Sequence, residues 1–281
     1  MTFRTTADRA TVSNKYAAKG EYREIEESGP VAGARECSEY TQPEYSFRPE
    51  RSVMCAKQTG AAITATPLAA PTRVESLAEE VASAITHGLG LGGAVAAVIW
   101  AAVEHRFASG IELKLFWVYG GSLWLLYLCS TLYHSLTRTS ARPVFKVLDH
   151  SAIYVLIAGT YTPIVPAIAS PRTAAVILAF VWTCAIIGIS LSAVFYRNQT
   201  KLVKGLELGA YVGLGWVALG LIWDFWQFGH PWFVAYLVAG GVCYTAGTYF
   251  YGRRSLRFNH SYWHIAVMAG SALHFAAILQ L

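Results

Sequence analysis

A Ser-x-x-x-His at Ser130 and His134, an Asp-His pair at Asp149 and His150, and a His-x-x-x-His at His260 and His264 give this chain its chemical means. Three neutral imidazoles hold a catalytic zinc and leave the fourth position to water. A carboxylate beside that water accepts its hydrogen bond or takes its proton. A serine one turn before a ligand histidine supports it or stabilises a developing oxyanion. The residue types therefore point to His134, His260 and His264 as metal ligands, with Asp149 and Ser130 as the catalytic groups around them. Zinc is the expected cofactor, although imidazole suits other divalent metals as well.

The elements that must position these groups are apolar. The chain has 281 residues, of which 54% are hydrophobic and 14% charged, against about a quarter charged in a soluble domain. The charges are also uneven. Residues 1–72 hold nine Lys/Arg and nine Asp/Glu, whereas beyond Arg106 the only acids are Glu112, Asp149, Glu207 and Asp224. Two parts follow: a polar tail over 1–72 and an apolar body over 73–281. The tail lacks helical or alternating periodicity and is expected to be disordered. It carries no apolar run before a small-residue cleavage site, so it does not read as a secretory signal. Met54 offers a second possible start. The five cysteines show no paired spacing, and no disulfide framework is expected.

Seven apolar runs reach the roughly 20 residues that a bilayer crossing needs: about 84–103, 115–134, 148–168, 173–194, 203–223, 231–251 and 262–280. They do not alternate as barrel strands would. The expected fold is an all-α membrane protein, a seven-transmembrane helix bundle. Its second, fourth and sixth loops carry Arg138, Arg142, Lys146, Arg197, Lys201, Lys204, Arg253, Arg254 and Arg257; the opposite loops carry Arg106, Lys114 and Arg172. Nine against three puts the N-terminus in the cytoplasm and the C-terminus outside. The +5 net charge thus reads as membrane orientation, not nucleic-acid binding.

With that topology, Ser130 and His134 end helix two on the cytoplasmic side. Asp149 and His150 are the first residues of helix three there, and His260 and His264 lie on the first turns of helix seven. Residues four apart share a helix face, so each pair can aim inward together. Ionisable groups gathered at one membrane depth are a site by default.

Other polar residues carry less. His150 points about 100° away from Asp149 and reads as supporting or structural. His87 is a minor ligand candidate at the inner end of helix one. His274 lies about 15 Å beyond His264 along its helix, too far to join it. His105 and His230 fall on outer loops. Glu79 and Glu80 read as helix N-terminal charges favoured by the dipole, a polar contact around the site being the alternative. Glu207 follows Lys204 by one turn and reads as an interfacial ion pair. Gly88, Gly90, Gly92 and Gly93 in the first span, and Gly209, Gly213, Gly215 and Gly220 in the fifth, suggest close helix approach. Trp223, Phe225, Trp226, Phe228 and Trp232 read as an interfacial aromatic belt.

The segments EEVASAITHGLG, CSTLYHSL, FKVLDHSAIYVLIAGTYTP and HSYWH occur in this order. Together they resemble the hemolysin III family, the bacterial branch of the progestin and adiponectin receptor (PAQR) group, related to membrane hydrolases of the alkaline ceramidase type. The resemblance covers about 75–281. It implies a seven-helix fold with the N-terminus inside and a zinc held by His134, His260 and His264. It also implies Asp149 in contact with the zinc's water, and Ser130 as the matching serine. The long polar tail is the departure.

The expected function is a zinc-dependent membrane hydrolase of lipid amide or ester bonds at the cytoplasmic leaflet of the cell membrane, with membrane lipids as substrate or ligand. The alternatives are a receptor-like or membrane-homeostasis protein with structural zinc, and a pore-forming haemolysin. Against the last stands the lack of an amphipathic segment able to insert on its own.

Overall fold

The computed structural model describes residues 75–104, 109–228 and 231–281. The expectations for the 1–72 tail, and for His105 and His230, lie outside the described residues. Within them every regular element is helical: α1 (Leu77–Val103), α2 (Gly110–Ser135), α3 (Arg142–Ile168), α4 (Pro171–Phe195), α5 (Lys201–Gly215), a 3-10 stretch (Trp216–Leu221), α6 (Ile222–Phe228), α7 (Pro231–Gly252) and α8 (Asn259–Ile278).

Local chemistry starts the helices where it should. Ser76 with Glu79 and Ser109 with Glu112 form capping boxes at α1 and α2, while Ser170 and Thr200 cap α4 and α5 through their hydroxyls. Each cap satisfies backbone N–H groups that have no partner inside the helix. Pro171 and Pro231 occupy first-turn positions, where a missing N–H costs nothing.

Six helical runs among the described residues are long and apolar enough to cross a bilayer: α1, α2, α3, α4, the composite run Lys201–Phe228, and α7. This is a multi-pass membrane protein. Helix α8 has 20 residues, but its first turns hold Asn259, His260, Ser261 and His264, which lower its hydropathy. Helix α3 begins at Arg142, earlier than expected, so Asp149 and His150 sit two turns inside it and not at its first residues. The cause is a start with Pro143 in the first turn, which lets a basic turn precede the apolar run.

The fifth apolar run is not one α-helix. It tightens to 3-10 geometry at Trp216–Leu221. The Tyr161 hydroxyl of α3 lies 3.0 and 2.9 Å from the carbonyl oxygens of Leu214 and Gly215 and accepts from the Ala218 N–H at 2.7 Å. One buried side chain thus satisfies backbone groups that the break would leave open.

Helices α1, α2, α3, α5, α7 and α8 contact one another in sequence, and α8 returns to α1, closing a ring; α4 packs on α3 and α5. Helix α3 is the most buried of the candidate spans. Of the expected glycines, Gly90 makes a close approach, since a Cβ there would lie 3.1 Å from Tyr127 of α2, and Gly88 an ordinary contact with Thr131. A Cβ at Gly92, Gly93, Gly209, Gly213, Gly215 or Gly220 would meet nothing within 4 Å. One at Gly159 would strike Ser122, at Gly188 Tyr154, and at Gly240 His274. The close contacts thus fall where α1 meets α2, where α3 meets α2 and α4, and where α7 meets α8. The aromatic belt is also narrower than expected: Trp223, Trp226 and Trp232 are exposed, but Phe225 is buried against Phe233.

Candidate metal centre

His134 stands in the last turn of α2, and His260 and His264 in the first turns of α8. The ring of helices brings one nitrogen from each to within 4.8 Å of the others. Ring centroids are 4.8 Å apart for His134 and His260, 5.0 Å for His134 and His264, and 4.6 Å for His260 and His264.

The same nitrogen of each imidazole is engaged from behind. His134 Nδ1 lies 2.8 Å from Glu80 Oε2. A carboxylate only accepts, so Nδ1 carries the proton and Nε2 keeps the lone pair. His264 Nδ1 donates to the Ser83 carbonyl at 3.1 Å and lies 3.2 Å from the Thr86 hydroxyl. His260 Nδ1 is 3.8 Å from Glu75 Oε1. Outer partners of this kind set the tautomer and orientation of metal-binding histidines.

His134 Nε2 is fully buried and has no hydrogen-bond partner. An orphaned acceptor of this sort costs free energy unless something binds it. Tetrahedral zinc with bonds of about 2.0–2.1 Å sets its ligand nitrogens about 3.3 Å apart. The three candidate ligand nitrogens lie within 4.8 Å of one another. The three histidines fit a metal ion that takes imidazole ligands.

Asp149 and Ser130 are both buried, and both line one cavity of about 140 Å³ with His260 and His264. The Ser130 Oγ lies beside the Asp149 carboxyl. Away from the histidines the cavity is walled by apolar groups such as Leu156, Ile157 and Val267. A smaller space of about 60 Å³ continues it, sharing Thr160, Tyr161, Trp216 and Gly241. On the loop side a third space of about 240 Å³ shares His150, Lys204, Tyr251 and His260 with the first.

Several weaker readings change. Glu80 is buried and bonds both His134 and Arg142, so it is a site residue and not a plain dipole charge. Glu79 caps α1 and also accepts the Phe258 N–H at 2.8 Å, just before α8. Phe258 is in the left-handed region at φ 57°, so this contact holds a turn that a side chain rarely adopts. Glu207 does not pair with Lys204. Its carboxylate accepts from Ser192 at 2.6 Å and Tyr211 at 3.2 Å and lies 3.4 Å from His150 Nδ1. His150 is thereby turned toward α5, in keeping with a structural part.

His87 is stacked on His264 at 3.5 Å between centroids, and both its ring nitrogens lack partners. His274 is held by the Leu237 carbonyl at 3.1 Å and takes no part. Glu75, outside the helices, has its carboxyl raised above the usual range by burial, with the Glu80 charge adding to it. One signal for the missed acid was present in the sequence. Glu80, Ser83 and His87 recur at helical spacing on one face.

The family model described as "Haemolysin-III related" matches residues 75–275. A protein described as "Hemolysin-3" from Bacillus cereus is 39% identical over 206 residues, covering 72% of this chain and 90% of its own. "Hemolysin-3 homolog" from Bacillus subtilis (strain 168) is 33% identical over 205 residues, covering 73% and 94%. "Monocyte to macrophage differentiation factor" from Homo sapiens is 27% identical over 207 residues, covering 71% and 83%.

Proposed function

Because the chain belongs to the haemolysin-III-related family, we propose that it is a zinc-dependent hydrolase of lipid amide or ester bonds, working at the cytoplasmic leaflet. In this reading α8 is a seventh span, the N-terminus is cytoplasmic and the C-terminus is outside, as the loop charges argue. His134, His260 and His264 hold the zinc. The observation that carries the proposal is the buried, partnerless Nε2 of His134, in a ring whose centroid is 4.8 and 5.0 Å from those of His260 and His264 while Glu80 holds its Nδ1.

A zinc ion bound there would supply Lewis acidity toward water and the substrate carbonyl. The chain's own groups do the rest. Asp149 takes a proton from the attacking water as its oxygen bonds to the carbonyl carbon, then returns it to the leaving nitrogen or oxygen as that bond breaks. The Ser130 hydroxyl, next to Asp149 in the same cavity, donates to the oxyanion. Apolar walls around Leu156, Ile157 and Val267 exclude bulk water and suit an acyl chain.

The test is metal analysis of the purified full chain beside a mass-spectrometric screen of products from N-acyl and O-acyl lipids. Bound zinc with zinc-dependent turnover is expected. Full turnover in a metal-free preparation would overturn the reading. Bound zinc without any turnover would instead support a receptor-like or homeostatic protein with structural zinc.

A further inference from the structure

We propose that the loop-side cavity is a vestibule for the anionic head group of an acyl amphiphile. This deepens the hydrolase reading and rests on it for the position of the scissile bond. The cavity of about 240 Å³ is walled by Arg142 and Lys146 from α3, Lys204 from α5 and Arg254 from the segment between α7 and α8. Of its two carboxylates, Glu80 is bonded to His134 and Arg142, and Glu75 lies 3.8 Å from His260 Nδ1.

A cytoplasmic excess of Lys and Arg explains which side these residues are on, but not their convergence. Arg138, Arg197, Lys201, Arg253 and Arg257 share that side, are exposed, and do not line the cavity. Arg142, Lys146 and Lys204 are half-buried and do line it. Lys204 lies close enough to Lys146 and Arg254 to be repelled by both, with Glu207 drawing the other way. Like charges held together in a concave, partly desolvated space raise the local potential for an anion.

The type of anion follows from what adjoins it. Along α3, Arg142 and Lys146 face the vestibule, His150 lines both spaces, and Ile153, Ile157 and Thr160 face the inner cavity. These positions recur at three or four residues and share one helix face. On α5, Lys204 lines both spaces, and Glu207, Leu208, Tyr211 and Val212 line the inner one alone, with the Glu207 carboxylate taken up by Ser192 and Tyr211. Cation, ionisable group and apolar wall succeed one another on two helices. A phosphate- or carboxylate-bearing chain matches that order, with its head in the vestibule and its tail in the apolar cavity. A small free anion would leave the apolar part unused.

The test follows thermal unfolding of the full chain in a neutral maltoside detergent against the concentration of dodecyl phosphate, inorganic phosphate or dodecyltrimethylammonium. Dodecyl phosphate is expected to stabilise the protein and the other two to do little. The pair Lys146→Gln with Lys204→Gln should weaken dodecyl phosphate about tenfold or more, as loss of charge-assisted contacts implies. Lys201→Gln with Arg253→Gln, on the same side but outside the cavity, should leave it unchanged. Should the first pair not fold, Lys146→Gln alone carries the comparison. Equal protection by inorganic phosphate or by the cation, or an undiminished response in the lysine variants, overturns the proposal. Metal content and turnover of a neutral N-acyl lipid are read on the same preparations. If both persist while dodecyl phosphate is not selected, the head-group proposal fails and the hydrolase reading stands.

Discussion

Glu80 of α1 reaches across to α2 and grips His134 by its Nδ1 at 2.8 Å, while its other oxygen pairs with Arg142 of α3. One carboxylate from a helix that supplies none of the three histidine ligands thus sets the tautomer of a histidine that is one, and ties three helices together. Outer partners of metal-binding histidines are worth roughly 10–100-fold in metal affinity.

Glu80→Ala should therefore weaken metal binding by about 10–100-fold. Chelator competition on the purified variant reads this directly. Wild-type affinity would show that the carboxylate is not part of the site.

Asp149→Asn should keep the bound metal and lose turnover by about 10²–10⁴-fold, the usual worth of a positioned acid–base group. His134→Ala should lose the metal itself. Parallel measurements of metal content and product formation separate the two outcomes.

Ser130→Ala should destabilise the fold by no more than about 1 kcal/mol, because the one polar group beside its buried hydroxyl is the Asp149 carboxyl. Turnover should still fall by about 10²–10³-fold, the worth of one oxyanion donor. A variant of wild-type activity would remove Ser130 from the mechanism.

Gly159→Ala and Gly240→Ala should each destabilise by about 1–3 kcal/mol, since the added methyl strikes Ser122 or His274. Gly213→Ala meets nothing and should be neutral or slightly stabilising. Thermal unfolding in detergent gives the order, and equal shifts in all three would contradict the packing described.

Chelation should lower the melting temperature of the full chain, and returning the metal should restore it, because binding to the folded state alone stabilises it. An unchanged melting temperature under complete metal removal would argue against a metal that bridges α2 and α8.

Much of this architecture was legible in the sequence because bilayer length and loop charge are strong constraints. Each expected apolar run falls on a helix, and the placement of His134, His260 and His264 near one another follows from chain direction alone. Glu80 was misread because an acid in a helix's first turn already has a local reason to be there, and only the packing of α1 against α2 supplies the second. Glu207 was misread for a related reason. Its neighbour at one turn, Lys204, is visible in sequence, whereas Ser192, Tyr211 and His150 come from α4, its own helix and α3. Apart from Gly88 and Gly90, the expected glycines meet no neighbouring helix, because their number in a helix says nothing about which face meets another. The break at Trp216–Leu221 carries no proline, and Tyr161, which supports it, lies on a different helix.

The contacts between α1 and α8 also bear on how the protein is made. Glu79 fixes the turn at Phe258, Ser83 bonds Ser261 at 3.1 Å, and the Ser83 carbonyl holds His264. Two of the three candidate ligands sit on α8, while the Ser83 carbonyl that supports one of them sits on α1. These two segments are far apart in the chain, so the other described helices can pack while the site does not yet exist. Metal capture is therefore a report of one particular contact, the docking of α8 against α1.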